Sequence, residues 1–274
     1  MLGRGGLAST RHAAAERGGV AMSARLGDVT VEVAVRRRER VRVLDDVTLD
    51  LPAGAMTALV GESGCGKSMV AATLCGLLSP GSGVTGRLCL GDDTFLGDEI
   101  CGRDPRWRAL RGRRVGLVPQ SAATSFTPVR TLGSQLDEVI AGLDGAREAV
   151  ELCREVHLDP DALQLYPHEL SGGMAQRAAI AAALAGDPEI LVADEPTSAL
   201  DPDLAAAIWS LLVDTARRGA AVLVITHDMD TLRRAEECDS VAVMRAGRIV
   251  EHRAAADLES SDDEYVAAFF EPVS

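Results

Sequence analysis

The stretch AMTALVGESGCGKSMVAATLCGLL, residues 55–78, sets three local patterns end to end. An apolar run of buried-strand character, AMTALVG, leads into a glycine-rich loop. From Lys67 the apolar residues recur at helical spacing, and the pattern stops before Pro80. The loop fits G-x-x-x-x-G-K-[ST] at Gly61, Gly66, Lys67 and Ser68, in the strand-to-helix setting that lets the pattern cradle phosphate. Glycines allow backbone N–H groups to wrap an anion, and the helix that follows presents its positive dipole end. Of the 28 Lys and Arg residues, 27 are arginine, so Lys67 is the only lysine. A compact ammonium on a flexible stem can sit between two phosphates where a planar guanidinium is too wide. The stretch predicts a nucleotide-phosphate site formed by Gly61, Glu62, Ser63, Gly64, Cys65, Gly66, Lys67, Ser68 and Met69.

At 274 residues and 47% hydrophobic, the chain can bury a large core. Its longest apolar runs, such as AAVLVI at 220–225, fall short of the roughly 18 residues of a membrane span, so a soluble chain is expected. A net charge of −13 disfavours nucleic acid as a partner, the one basic block being RRRER at 36–40. Six cysteines without a C-x-x-C pair fit free thiols rather than a zinc site or a disulfide framework. Residues 1–27, rich in Ala, Gly and Arg, are assigned to a disordered leader, or to an overlong reading frame whose true start is Met22. VTVEVAV (29–35) alternates like a strand, and VRVLDDVTLDL (41–51) reads as a second with a break at its two aspartates.

Further along, EILVADEP (189–196) is an apolar strand ending in Asp194 and Glu195. A carboxylate at such a strand end can hold Mg²⁺ together with the Ser68 hydroxyl, and its neighbour can polarise an attacking water. Ser171, Gly172 and Gly173 precede the helical MAQRAAIAAALAG and form a second bare helix N-terminus, a plain N-cap by themselves. Gln120 follows the strand-like RVGLVP, and His227 closes the strand-like VLVIT. Each of these alone reads equally well as structural.

Taken in order and spacing, the phosphate loop, Gln120, LSGGM, ILVADEPTSALD (190–201) and His227 resemble the ATP-binding subunit of ABC transporters. The likeness covers about 28–250. SFTP (125–128), YPHELSGGM (166–174) and VAVMRAGRIVE (241–251) are similar to the peptide/nickel import group, most of all to its nickel-importer ATPase subunit of the D type. The resemblance implies an α/β P-loop NTPase with a mostly parallel sheet core, an antiparallel β subdomain and an α-helical subdomain at about 121–185, followed by a short tail, 251–274. It implies ATP and Mg²⁺ as cofactors, with Ser68, Gln120 and Asp194 toward the metal. Glu195 is implied as general base, with His227 and Gln120 beside it in catalysis, and Asp201 as a signal carrier between subunits. The implied partners are a second ATPase subunit, head to tail, whose Ser171–Gly173 completes the ATP site, two membrane permease subunits and an extracytoplasmic substrate-binding protein. That places the chain on the cytoplasmic face of the membrane. An exporter subunit or a non-transport ABC ATPase is the alternative, although one cassette without long insertions argues against the latter.

Two features depart from the family pattern. An aromatic ring usually stacks on adenine from the first strands, yet the first aromatic here is Phe95, and Val33 and Val35 offer aliphatic contact alone. The tail has Tyr265 but no His-Pro-Tyr segment. Other chemistries fail on spacing. H-E-x-x-H lacks its second histidine at Gly172, and G-x-S-x-G meets Cys65 where glycine is required.

Overall fold

The computed structural model describes residues 22–36, 39–226, 238–261, 263 and 265–266. β1 (Met22–Arg36), β2 (Glu39–Pro52), β4 (Gly83–Leu90) and β5 (Asp93–Leu96) form an antiparallel sheet in the order β2-β1-β4-β5. A second sheet runs β10-β9-β3-β8-β7-β6, with β3 (Met56–Gly61), β6 (Val115–Val118), β7 (Ile190–Asp194), β8 (Ala221–Ile225), β9 (Ser240–Arg245) and β10 (Arg248–Ala254). All its pairings are parallel except the antiparallel edge pair β9/β10. The chain is therefore an α/β protein with a mostly parallel central sheet and a separate antiparallel one.

Every residue of β3, β7 and β8 is buried, which is why these strands read as unbroken apolar runs. Alternate side chains divide the core in two. Ala58, Val60, Leu191 and Val224 pack toward α3 (Leu132–Gly142), α4 (Ala149–Glu155), α5 (Gly172–Leu184) and α6 (Pro202–Arg217). Leu59, Val192 and Ile225 pack with α1 (Lys67–Leu74), α2 (Trp107–Leu110) and the buried face of the antiparallel sheet. A loop that leaves the end of β3 is thus anchored between two cores.

Three boundaries differ from the sequence reading. Residues 22–27, assigned to a leader on composition, belong to β1, where Ala24 and Leu26 are buried. Their alternation was hidden by the register shift between Leu26 and Val29 that follows. The expected break at Asp45–Asp46 is a kink inside a continuous β2. Asp46 takes φ 57°, and its N–H is satisfied by Thr30 Oγ1 of the neighbouring strand at 3.1 Å. At the other end, the limit at 250 falls inside β10, and Val266, beyond it, is fully buried in the helix-facing core. The rest of the proposed leader, 1–21, and the last residues of the tail lie outside the described residues.

Candidate active site

β3 ends at Gly61, flanked by β8 and β9, and the chain turns through 62–66 into α1. At Gly61, with φ 154°, a Cβ would lie 2.2 Å from the Met244 carbonyl oxygen of β9, so only glycine lets the loop leave the sheet here. Gly66 stands at the α1 N-cap with φ 115°, a left-handed conformation that favours glycine. No side chain caps α1 and no acidic residue occupies its first turn, which leaves the helix end suited to an anion.

Lys67 is buried, at 7% exposure, and its Nζ donates to the carbonyl oxygens of Gly61 at 2.7 Å and Glu62 at 2.9 Å. The ammonium bridges the start of its own loop. Those carbonyls satisfy a charge that would otherwise be costly to bury, and a phosphate oxygen can replace them.

A cavity of about 410 Å³ opens beside this loop. Ser63, Gly64, Gly66, Lys67, Ser68 and Met69 line it on the loop side, and Val43, Gln120, Asp194 and Glu195 complete it. Sequence-distant residues meet because β7 and β6 are successive neighbours in the sheet that holds β3. Asp194 is the last residue of β7, and Gln120 follows β6.

Asp194 is 6% exposed, and its Oδ1 is buried without a hydrogen-bond partner. Burial pushes its carboxyl above the ordinary range, the Glu195 charge adds to this, and the Ser68 hydroxyl and Lys67 oppose it. An orphaned carboxylate oxygen near a serine hydroxyl is the oxygen-donor chemistry that suits Mg²⁺. Among the described residues there is no group of three or more His, Cys, Asp or Glu that could hold a metal alone. A magnesium ion here would be shared with phosphate oxygens and water, as that ion prefers.

Glu195 is also 6% exposed and adopts φ 54°. A left-handed glutamate is uncommon and costs on the order of 1 kcal/mol. It is held by a bond from its N–H to the Ile225 carbonyl at the end of β8, 2.9 Å, and by Ser198 Oγ donating to its carbonyl at 3.1 Å. The reversal right after β7 turns two successive residues so that both line the cavity.

Ser171, Gly172 and Gly173 do not line it. Ser171 caps α5, its Oγ accepting from the Met174 N–H at 3.2 Å, and Gly173 packs within 3.3 Å (measured from an added Cβ) of Ala199 and Leu200 in the loop after Glu195. Asp201 likewise caps α6, accepting from the Leu204 N–H at 3.0 Å. His227 lies outside the described residues.

The structure brings in residues the sequence reading missed. Val43 of β2 lines the cavity, whereas Val33 packs on the core and Val35 is 59% exposed. The β9–β10 turn backs the phosphate loop: the Gly247 N–H donates to the Cys65 carbonyl at 2.9 Å, and the Gly247 carbonyl accepts from the Asp45 N–H at 2.9 Å. The dipeptide Ala246-Gly247, both at positive φ, was its only visible signal, a hairpin turn. Cys65 stands beside a lysine and a helix end, where a thiol becomes more acidic, yet it is 8% exposed and burial pushes its pKa upward against the opposing pull of Lys67.

The family described as ABC transporter matches residues 44–198. The chain is 42% identical over 227 residues to the probable peptide ABC transporter ATP-binding protein of Sinorhizobium fredii, covering 79% of this chain and 66% of that protein. It is 38% identical over 229 residues to the probable D,D-dipeptide transport ATP-binding protein of Escherichia coli K12, covering 80% and 68%. The chain thus spans about two thirds of the length of these relatives. Among solved structures it is similar to a dimeric ATP-binding cassette in a post-hydrolysis state bound to ADP and Pi, with TM-score 0.73, 27% identity, and coverage of 85% of this chain and 98% of that one. Among the described residues no helix is long and apolar enough to cross a membrane.

Proposed function

Because the chain belongs to the ABC transporter family, we propose that it is the ATP-binding and ATP-hydrolysing subunit of a transporter whose cargo is peptide. The observation that carries this reading is the single cavity that gathers Lys67, Ser68, Gln120, Asp194 and Glu195. The phosphate chain of ATP lies along the loop 61–69, and Lys67 exchanges its loop carbonyls for phosphate oxygens. Ser68 and Asp194 would hold Mg²⁺, which when bound would neutralise phosphate charge. Gln120 orients water at the cavity rim. Glu195 takes a proton from that water as it attacks the terminal phosphate, the bond from phosphorus to the bridging oxygen breaks, and ADP leaves with inorganic phosphate as the other product. His227 stands beside the same phosphate in the resemblance drawn from the sequence.

The Ser171–Gly173 helix end, away from the cavity within one chain, then serves the ATP held by a second subunit, and two composite sites form head to tail. The dimeric cassettes among similar solved structures support this arrangement. A groove of about 720 Å³ between edge strand β6, α3 and α5, lined by Leu77, Leu117, Phe126, Val139 and Leu143, is the seat proposed for a permease. It adjoins the segment that begins at Gln120, so a partner seated there is coupled to the nucleotide. Phe126 lines this groove while packing on the core, and Val129 stands 80% exposed outside it. Docking to two permeases, served by an extracytoplasmic binding protein, places the chain on the cytoplasmic face of the membrane. Peptide is preferred to nickel as cargo because the relatives' names specify peptides and dipeptides. The ATP-binding unit is taken as residues 22–254, with the helical part at about 121–185.

Steady-state turnover and nucleotide binding of two variants test the reading. Lys67→Ala is expected to weaken ATP binding by about 10- to 100-fold, the loss of a charged hydrogen bond. Glu195→Gln is expected to keep ATP binding and lose about 10²–10⁴-fold in turnover, the range for a lost general base. Turnover in Glu195→Gln near that of the parent would remove the assigned role.

A further inference from the structure

The outer side of the phosphate loop rests on residues from the end of the described chain. The β9–β10 turn bonds to the Cys65 carbonyl through the Gly247 N–H. Met244 of β9 blocks any side chain at Gly61 and touches the space beside Gly66. Arg245, next in sequence, places its guanidinium 4.5 Å from the centroid of the Tyr265 ring. Tyr265 is itself seated. Asp263 Oδ1 accepts from the N–H groups of Tyr265 at 2.8 Å and Val266 at 3.3 Å, and the neighbouring Val266 is fully buried. Although the Tyr265 residue is only part-buried, its hydroxyl is shut off from solvent and lies against the backbone of Glu62.

We propose that Tyr265, held by Arg245 and Asp263, is a positioning residue for the phosphate loop, a strut from the C-terminal segment that sets ATP affinity. The reasoning is mechanical. Residues 62–66 contain two glycines at positive φ, Gly64 and Gly66; an added Cβ at Gly64 meets nothing within 4 Å, so the loop is open there, while at Cys65 and Gly66 it is held from behind by β9 and its turn. A loop that must hold its N–H groups on a phosphate binds more tightly when ordered in advance. On the inner side Lys67 ties Gly61 and Glu62; on the outer side the Tyr265 hydroxyl meets the same Glu62 backbone. When a phosphate draws Lys67 off those carbonyls, the outer contact is what keeps residue 62 in place. Tyr265 touches neither ATP nor metal in this scheme and acts through the loop.

The inference rests on the ATP-site reading above, and the experiment separates the two. MgATP affinity, KM, kcat, thermal melting and amide hydrogen exchange of residues 62–66 are measured on the full chain for the parent, Tyr265→Phe, Tyr265→Ala and Arg245→Gln. Loss of the cation–π contact together with the packing of the ring corresponds to an affinity loss of about tenfold in Tyr265→Ala. Tyr265→Phe, which keeps the ring over Arg245, loses about two- to fourfold, and Arg245→Gln falls in the same range. KM rises with these losses while kcat at saturating ATP stays near the parent, and exchange quickens at 62–66 but not along α6. Parental ATP affinity in Tyr265→Ala overturns the proposal alone. So does a loss that tracks a fall in melting temperature, with exchange quickened throughout the chain. A parent that binds no MgATP overturns the ATP-site reading and this inference with it.

Discussion

Two neighbours pull the Cys65 thiol in opposite directions. Its Sγ is 4.0 Å from the Lys67 ammonium, which favours thiolate, and the packing that leaves the residue 8% exposed favours the neutral thiol. Burial is the larger influence and raises the pKa above the ordinary 9.0. At neutral pH the thiol is therefore protonated, and since thiolate is the nucleophile, alkylation should be slow and should quicken as pH rises toward the raised pKa. The expected result is that a maleimide inactivates the parent at neutral pH little faster than Cys65→Ser, with the gap opening under alkaline conditions. Rapid, MgATP-sensitive inactivation at neutral pH that Cys65→Ser abolishes would show that lysine outweighs burial. At this scale the sequence was informative wherever a residue type states its own chemistry: Lys67, Ser68, Asp194 and Glu195, singled out by type and spacing, all line one cavity. It was silent on acidity and strain. The burial of Cys65 depends on Met244 and Gly247, and the left-handed Glu195 on the end of β8, contacts that no local window contains.

The β1–β2 hairpin shows the same limit in strands. Alternation revealed both strands but not which valine faces the nucleotide, because bulges shift the register four times between Leu26 and Arg36. The pairing Val33↔Val41 puts these two valines on one face of the hairpin, and the shift between the pairs Val31↔Leu44 and Glu32↔Arg42 makes Val43 the extra residue of β2 at that point. On the proposed ATP site, the aliphatic surface offered to the base is Val43, which lines the cavity, rather than Val33 or Val35. Aliphatic contact offers little discrimination, whereas an aromatic platform contributes roughly 1–3 kcal/mol per base in nucleic-acid systems. GTP should accordingly bind within about tenfold of ATP, and Val43→Tyr should tighten ATP binding by about tenfold or more. Competition binding of the two nucleotides checks this; strong ATP preference in the parent with no gain in Val43→Tyr would refute it. The long β2 was expected as two pieces because Asp46 breaks the pattern, and only the cross-strand Thr30 hydroxyl makes the kink tolerable.

At the scale of the molecule, Ser171–Gly173 and the Lys67 cavity are different places on one chain. If each completes the other across a dimer, turnover per chain should rise with protein concentration and then level off. Lys67→Ala and Ser171→Arg should each be inactive alone, and mixing them should restore part of the activity through the one intact site of each mixed dimer. Absence of recovery would mean that the complementary surface comes from a different chain. The division into two sheets came from the family resemblance, while the residues themselves marked the apolar runs of β3, β7 and β8 and the alternation of β1. Strand order was not legible, since it depends on which late strands flank β3. Those flanking strands are residues 221–225 and 240–245, while the phosphate loop leaves β3 at Gly61. On the ribosome the loop emerges early and waits with both edges of its strand open until nearly the whole chain has followed. Nascent chains that stop before β9 already carry every residue that lines the cavity but lack the strand and turn that back the phosphate loop, so the loop of a translation fragment stands without its outer support.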